Sequence, residues 1–160
     1  MSLFSTFEKN QVLEQLNFRP YAFRLRPGEI FDPARKKFVA LNPEEWVRQH
    51  AIRFLNEERA YPLSLMAVEV QLEVNKLRKR VDILVYGRDS KPLLIVECKA
   101  PTVKISQDTF DQAARYNLAL GADYFFITNG LTHFFCRSDK TTASYQFLKE
   151  LPPYGTVFPV

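Results

Sequence analysis

At 160 residues the chain has the size of one domain and is long enough to enclose a single hydrophobic core. Its composition, 46% hydrophobic and 25% charged with 5 Gly, excludes a disordered or low-complexity chain; no apolar run is long enough to span a membrane, and the start MSLFSTFEKN lacks a signal-peptide pattern. Two cysteines, Cys98 and Cys136, exclude a disulfide framework and zinc-type spacing, so a reduced, cytoplasmic protein is expected, and the net charge of +4 suits a polyanionic partner.

In chain order, FEKNQVLEQL (residues 7–16) predicts a short helix. AFRLRPGEIFDPARKKFVAL alternates and is broken by Pro-Gly and Asp-Pro, which predicts short strands or a hairpin arm. Residues 1–41 are therefore read as an N-terminal extension packed as one unit with a domain over residues 42–160. Asn42-Pro43 starts a helix, with Asn as N-cap, Pro at the first helical position, and Glu44 and Glu45 in the first turn. Val47, Ala51, Phe54 and Leu55 form its apolar stripe. Three strand-like runs follow, LMAVEVQLEV, RVDILVYG and PLLIVECKA, joined by NKLRK and by residues 87–91 as hairpin connections. Ser106 caps a second helix that Gly121 stops, and DYFFITNG and THFFCR form two more strands across Asn129-Gly130. After Ser138 the sequence offers one short amphipathic stretch and a Pro-rich tail. The order predicts an α/β fold with a mixed central sheet flanked by helices.

Charges inside the strands carry the chemistry. Alternation places Asp82, Leu84 and Tyr86 on one strand face, with Val81, Ile83 and Val85 on the other; Leu93, Ile95, Glu97 and Lys99 share a face of the next strand. A suitable register brings two carboxylates and a lysine together at one end of the sheet. An ion pair, Glu97 with Lys99 or Asp82 with Arg80, explains two of the three groups. A hard divalent cation between Asp82 and Glu97, with Lys99 beside it, explains all three.

These residues resemble the PD-(D/E)xK nuclease signature: Val81-Asp82, then Glu97-Cys98-Lys99 on the next strand. Gln112-Ala-Ala-Arg-Tyr116 matches the Q-x-x-x-Y pattern of one branch of these nucleases. EEWVRQ, VDILVYG, IVECKAP, DQAARYN and FFITNG resemble the N-terminal nuclease domain of type I restriction enzyme R subunits over roughly residues 42–135. The resemblance implies a restriction-endonuclease-like core. It also implies Mg²⁺ (Mn²⁺ in its place) held by Asp82, Glu97 and the Cys98 main-chain carbonyl, with Lys99 as the catalytic lysine. Glu44, four residues before Arg48, takes the position of a helix carboxylate at the metal, and Glu45 is expected to point further away; the alternative is that both only complement the helix N-terminus and pair with Arg48 or Gln49. Gln112 and Tyr116 order the site or contact DNA, packing being the alternative for Tyr116. The proline of the signature is replaced by Val81, and there is no G-x-x-x-x-G-K-[ST] loop, which implies a relative acting without a motor or with separate partners.

Two basic clusters, Arg35, Lys36 and Lys37, and Lys76, Arg78, Lys79 and Arg80, are expected to hold a DNA backbone; solvated turns are their alternative. His50 and His133 lack a partner at ligand spacing and read as structural, and Phe125, Phe126, Phe134 and Phe135 read as sheet packing. The expected function is Mg²⁺-dependent DNA endonuclease activity of the restriction type, with DNA, other restriction subunits and a second copy of the chain as candidate partners. The competing reading is a non-catalytic nucleic-acid-binding or assembly module that keeps the nuclease fold.

Overall fold

The computed structural model of the protein describes residues 13–157. The helix expected over residues 7–16 falls mostly outside them, and residues 13–16 are not helical. The expected arm is a small antiparallel sheet of β1 (Leu25–Arg26), β2 (Glu29–Asp32) and β3 (Lys37–Ala40). Asp32 closes its second turn by accepting the Ala34 and Arg35 amide hydrogens, each at 2.8 Å. Ile30 and Leu41 bury against Leu13, Phe23, Leu25, Val39 and Trp46, so the arm has a small core shared with the first helix.

That helix, α1 (Pro43–Arg53), begins as its sequence dictates: the Asn42 side chain accepts the Glu45 amide hydrogen at 2.7 Å, with Pro43 at the first turn. Val47, Ala51 and Leu55 of the apolar stripe are fully buried, and the helix widens into a π-helical turn at Phe54–Glu58.

The main sheet holds six strands in the order β4 (Met66–Val74), β5 (Leu77–Tyr86), β6 (Pro92–Cys98), β7 (Tyr124–Thr128), β8 (His133–Asp139) and β9 (Ser144–Leu148). All neighbours are antiparallel except β6 and β7, and a parallel pair needs a crossover, here α2 (Gln107–Leu120). Ser106 caps α2 and Gly121 ends it in the left-handed region at φ 74°, as expected. A short helix, α3 (Tyr154–Val157), closes the described chain.

Two boundaries differ from expectation. The β4–β5 turn uses only Asn75 and Lys76, both at positive φ, as a tight two-residue hairpin demands. Leu77 to Arg80 therefore lie in β5 and not in a connection. Strand β9 shows in the sequence only as the short amphipathic stretch after Ser138, because it is an edge strand with mostly exposed residues, so burial imposes little alternation on it.

The sheet separates two apolar layers. On the α1 side Val47, Ala51 and Ile52 pack with Ile83, Val85, Leu94, Val96 and Phe126; on the α2 side Phe110, Ala113 and Ala114 pack with Leu84, Ile95, Phe125 and Ile127. With both faces covered, β6 and β7 are buried almost throughout and read as continuous apolar runs. Val81 departs from the expected alternation. It packs with Leu84 on the α2 side, while the neighbouring Asp82 turns to Arg48 of α1. At Gly130, φ 87° strains any residue with a side chain, and an added Cβ would stand 2.8 Å from the Leu16 Cδ2 methyl, which would have to shift.

Candidate active site

The ladder between β5 and β6 runs as far as Ile83 opposite Val96. Beyond it Asp82 uses its side chain where the backbone pairing stops: Oδ2 accepts the Cys98 amide hydrogen at 2.7 Å and Oδ1 accepts Arg48 Nη2 at 2.9 Å. The diverging strand ends open a cavity of about 280 Å³. Asp82, Glu97, Cys98 and Lys99 line it from the sheet, Glu44 from α1, and Gln112 and Tyr116 from α2. The structure thus brings together the residues singled out for chemistry. Thr109, Ala113, Lys79 and Arg80 complete the wall.

Glu97 is a poorly satisfied charge. It is buried, and no well-directed hydrogen bond reaches its Oε1. Lys79 Nζ lies 3.2 Å from that oxygen, within ion-pair range but longer than the ~2.7–2.9 Å of a well-formed charged hydrogen bond. Burial first, and then the nearby Asp82 charge, push the Glu97 carboxyl up to about 7, against the pull of Lys79 and Lys99. Glu44 is also raised, by burial and by Asp82, with Arg48 and Lys99 opposing. Lys99 bonds its amide to Thr128 O at 2.8 Å, which extends the β6–β7 pairing and fixes the backbone under its side chain. Cys98 sits in the cavity wall with its thiol buried; burial and Asp82 raise that thiol well above its ordinary value and leave it unreactive.

Asp82 also belongs to a second group of charges, behind the cavity. Arg48 Nη1 binds Glu45 at 2.7 Å and lies 3.2 Å from Glu69, while Nη2 meets Asp82 and, at 3.3 Å, Glu44. Burial disfavours the Arg48 charge, but Glu45 and Asp82 outweigh it and raise its affinity for the proton. Glu45 corrects the helical-wheel expectation: it is buried and held by Arg35, Arg48 and Gln49, whereas Glu44 faces the cavity and is partly exposed. Glu69 sits at φ 54° within β4, a rare conformation for a side chain of its size, and so turns its carboxylate to both arginines.

The basic clusters divide. Arg35 is corrected: its guanidinium binds Asp32 at 2.6 Å, Glu45 at 2.8 Å and Glu69 at 3.1 Å, which engages it inside the protein instead of leaving it for a phosphate. Lys36 and Lys37 are exposed at the β2–β3 turn, and Lys76 and Arg78 at the β4–β5 hairpin tip. Arg80 is largely exposed at the rim, 3.9 Å from Glu69. Lys79 points inward, against Glu97 and over the Tyr116 ring at 3.9 Å.

His50 is structural. It is packed among Phe18, Phe23 and Trp46, with Nδ1 2.8 Å from Trp46 O, and burial pushes it down to about 4. His133 lies between Thr128 Oγ1 and Asn17 O, and burial lowers it too. Sequence reasoning passed over Lys79 as an inward residue, and Glu69 and Asp32 as arginine partners. Glu69 carried a usable signal, a charge inside the apolar run MAVEV, of the kind that marks Glu97.

The family described as type I restriction enzyme R protein N terminus matches residues 43–152, more than half of the chain. The chain belongs to this family. The match starts at the first residue of α1 and runs past β9, so the R-protein N-terminal family accounts for the six-stranded sheet and the cavity, and β1 to β3 lie outside it. No curated protein matches the chain. Among solved structures, it is similar to a fragment assigned to the HsdR subunit of a type I restriction enzyme from Vibrio vulnificus YJ016. The TM-score is 0.52, with 25% identity over 74% of this chain, which spans 25% of the length of that one. It also resembles a protein belonging to DUF820 from Anabaena variabilis ATCC 29413, with a TM-score of 0.49 and 12% identity, covering 77% of this chain and 82% of that one. No helix among the described residues is long and apolar enough to cross a membrane.

Proposed function

We propose that the chain is a metal-dependent DNA endonuclease of the restriction type, hydrolysing phosphodiesters at the cavity between α1, α2 and the β5–β6 fork. The observation that carries this reading is Glu97, a buried carboxylate with an oxygen that no well-directed hydrogen bond reaches, in one cavity with Asp82 and Lys99. Among the described residues no three His, Cys, Asp or Glu side chains form a ready cage. Mg²⁺ does not need one, since it is commonly held by one or two carboxylates and keeps several waters. Asp82 and Glu97 would hold Mg²⁺ or Mn²⁺, with the Cys98 carbonyl and Glu44 contributing. The ion, when bound, supplies Lewis acidity to a water and to the phosphate. Lys99 stabilises negative charge developing at the phosphate, and Gln112 orders the α2 wall. Exposed Lys36, Lys37, Lys76, Arg78 and Arg80 attract the DNA backbone. Partners of the same chemistry follow: DNA, other subunits of a restriction system, and a second copy for cutting both strands.

The test is incubation of the purified chain with plasmid DNA and Mg²⁺ or Mn²⁺. Nicking or cutting is expected, and Lys99→Ala should remove it while circular dichroism stays unchanged. Cleavage that persists in both Lys99→Ala and Asp82→Ala would sink the assignment. One observation favours a second reading, a non-catalytic nucleic-acid-binding or assembly module: both Asp82 oxygens are already hydrogen-bonded within the protein. Saturable Mn²⁺ binding, lost in Glu97→Gln and accompanied by no cleavage of any substrate, would decide for that module.

A further inference from the structure

We propose that Lys79 is a built-in counter-cation of this site, holding the oxygen of Glu97 that a metal ion would take, with Tyr116 as the rest that keeps it there. The inference depends on the metal-site reading above. Lys79 lies on β5 three residues before Asp82, yet its side chain runs along the α2 side of the sheet into the cavity. Its ammonium stands 3.2 Å from Glu97 Oε1 on one side and 3.9 Å from the centre of the Tyr116 ring on the other. Only 18% of the side chain is exposed.

A structural ion pair in so dry a place is normally completed by hydrogen bonds, because desolvation of both charges must be offset. This pair is stretched: Lys79 Nζ stands 3.2 Å from Oε1, beyond the ~2.7–2.9 Å of a well-formed charged hydrogen bond, and no well-directed donor reaches that oxygen. The pairing is therefore loose enough to be exchanged. A divalent cation arriving at Glu97 meets a like charge at close range, so the ammonium must move off Oε1 before the ion settles. The Tyr116 face holds a cation by its quadrupole alone and competes with no lone pair of Glu97. Lys79 thus lowers the affinity of the site for metal, and Tyr116 sets how firmly it does so.

Mn²⁺ titration followed by the electron paramagnetic resonance signal of the free ion tests this in the whole chain. Lys79→Met should bind Mn²⁺ about tenfold more tightly than wild type, since a like charge at this range is removed. Tyr116→Leu should tighten binding by a smaller factor, and adding Glu97→Gln to Lys79→Met should cancel the gain. Equal or weaker binding in Lys79→Met beside a wild type that binds overturns this inference and leaves the metal reading standing. Binding in neither protein overturns both, whereas binding in Lys79→Met alone supports both. Should Lys79→Met not fold, ¹³C-dimethyl-lysine NMR of wild type gives the same answer. The Lys79 signal, shifted by the Tyr116 ring, should move away from that shift on Mg²⁺ addition; an unmoved signal at saturating Mg²⁺ overturns the proposal.

Discussion

Two clusters of charge meet at Asp82, and they are built differently. Behind it, Arg35 and Arg48 are clamped by Asp32, Glu45, Glu69 and Asp82 at 2.6–3.2 Å, with planar guanidinium forks that satisfy several acceptors at once. In front of it, Lys79 and Lys99 face Glu97 as point charges, and no well-directed hydrogen bond reaches Glu97 Oε1. The arginine cluster is scaffold: it ties the β1–β3 arm, α1 and β5 together. The lysine cluster is unfinished, and an unfinished buried charge is where a ligand has something to gain. The same residue classes do both jobs, and the number of charge contacts separates them: Arg48 keeps a buried Nε without a partner, yet its other two nitrogens reach four carboxylates, whereas Lys79 meets one.

The comparison breaks first at Lys99. Lys99→Ala should lower DNA cleavage by about 10²–10³-fold, the usual cost of losing one preorganised charge stabiliser, with the urea midpoint unchanged. A variant that instead unfolds would move Lys99 into the scaffold. Arg48→Met tests the opposite side. It strands the buried Glu45 and Asp82 carboxylates, so chemical denaturation should show a destabilisation of about 3–5 kcal/mol. A change near zero would remove the scaffold role. This also makes Asp82→Ala an ambiguous probe of catalysis, because the same side chain anchors Arg48.

Glu97 sharpens the contrast through pH. Its carboxyl is raised from 4.5 to about 7, so between those values the folded protein keeps a proton that the unfolded chain has released. The stability contributed is full below pH 4.5 and lost as pH rises through 7. Glu97→Gln should match wild type near pH 4.5 and exceed it by about 1–3 kcal/mol at pH 8, read from urea midpoints. Mn²⁺ should reverse the order at pH 8 by stabilising wild type alone. His50 works in the other direction: lowered from 6.5 to about 4, it contributes stability above 6.5 that is lost as pH falls to 4. Comparing two proteins that share His50 isolates the Glu97 contribution. The smallest expected effect lies at the hairpin tip. Lys76→Ala with Arg78→Ala should leave stability unchanged and flatten the salt dependence of DNA binding, by about one logarithmic unit of slope for each phosphate no longer neutralised. An unchanged slope would mean that this tip does not touch DNA.

Much of the fold was legible because local rules and burial agree in it. Asn42-Pro43, Ser106 and Gly121 mark helix ends by backbone chemistry that needs no tertiary context, and β6 and β7 announce themselves as apolar runs because both faces are covered. The edge strand β9 was faint for the converse reason. At the site, Asp82, Glu97 and Lys99 stood out as charges inside strands, and the strand pairing does place them on one cavity. The division of the basic residues was not legible: Arg35 and Lys79 look like their exposed neighbours in ARKKF and NKLRKR.

The sequence by itself determined the mixed sheet between helices, the helix caps, and the family to which residues 43–152 belong. Only the tertiary structure decided which charges are spent and which are left over. Arg35 meets Glu45 and Glu69 from elements ten and 34 residues away, and Lys79 meets Tyr116 across the sheet face. Whether a charge is satisfied depends on partners supplied by other elements, and no local pattern carries that information.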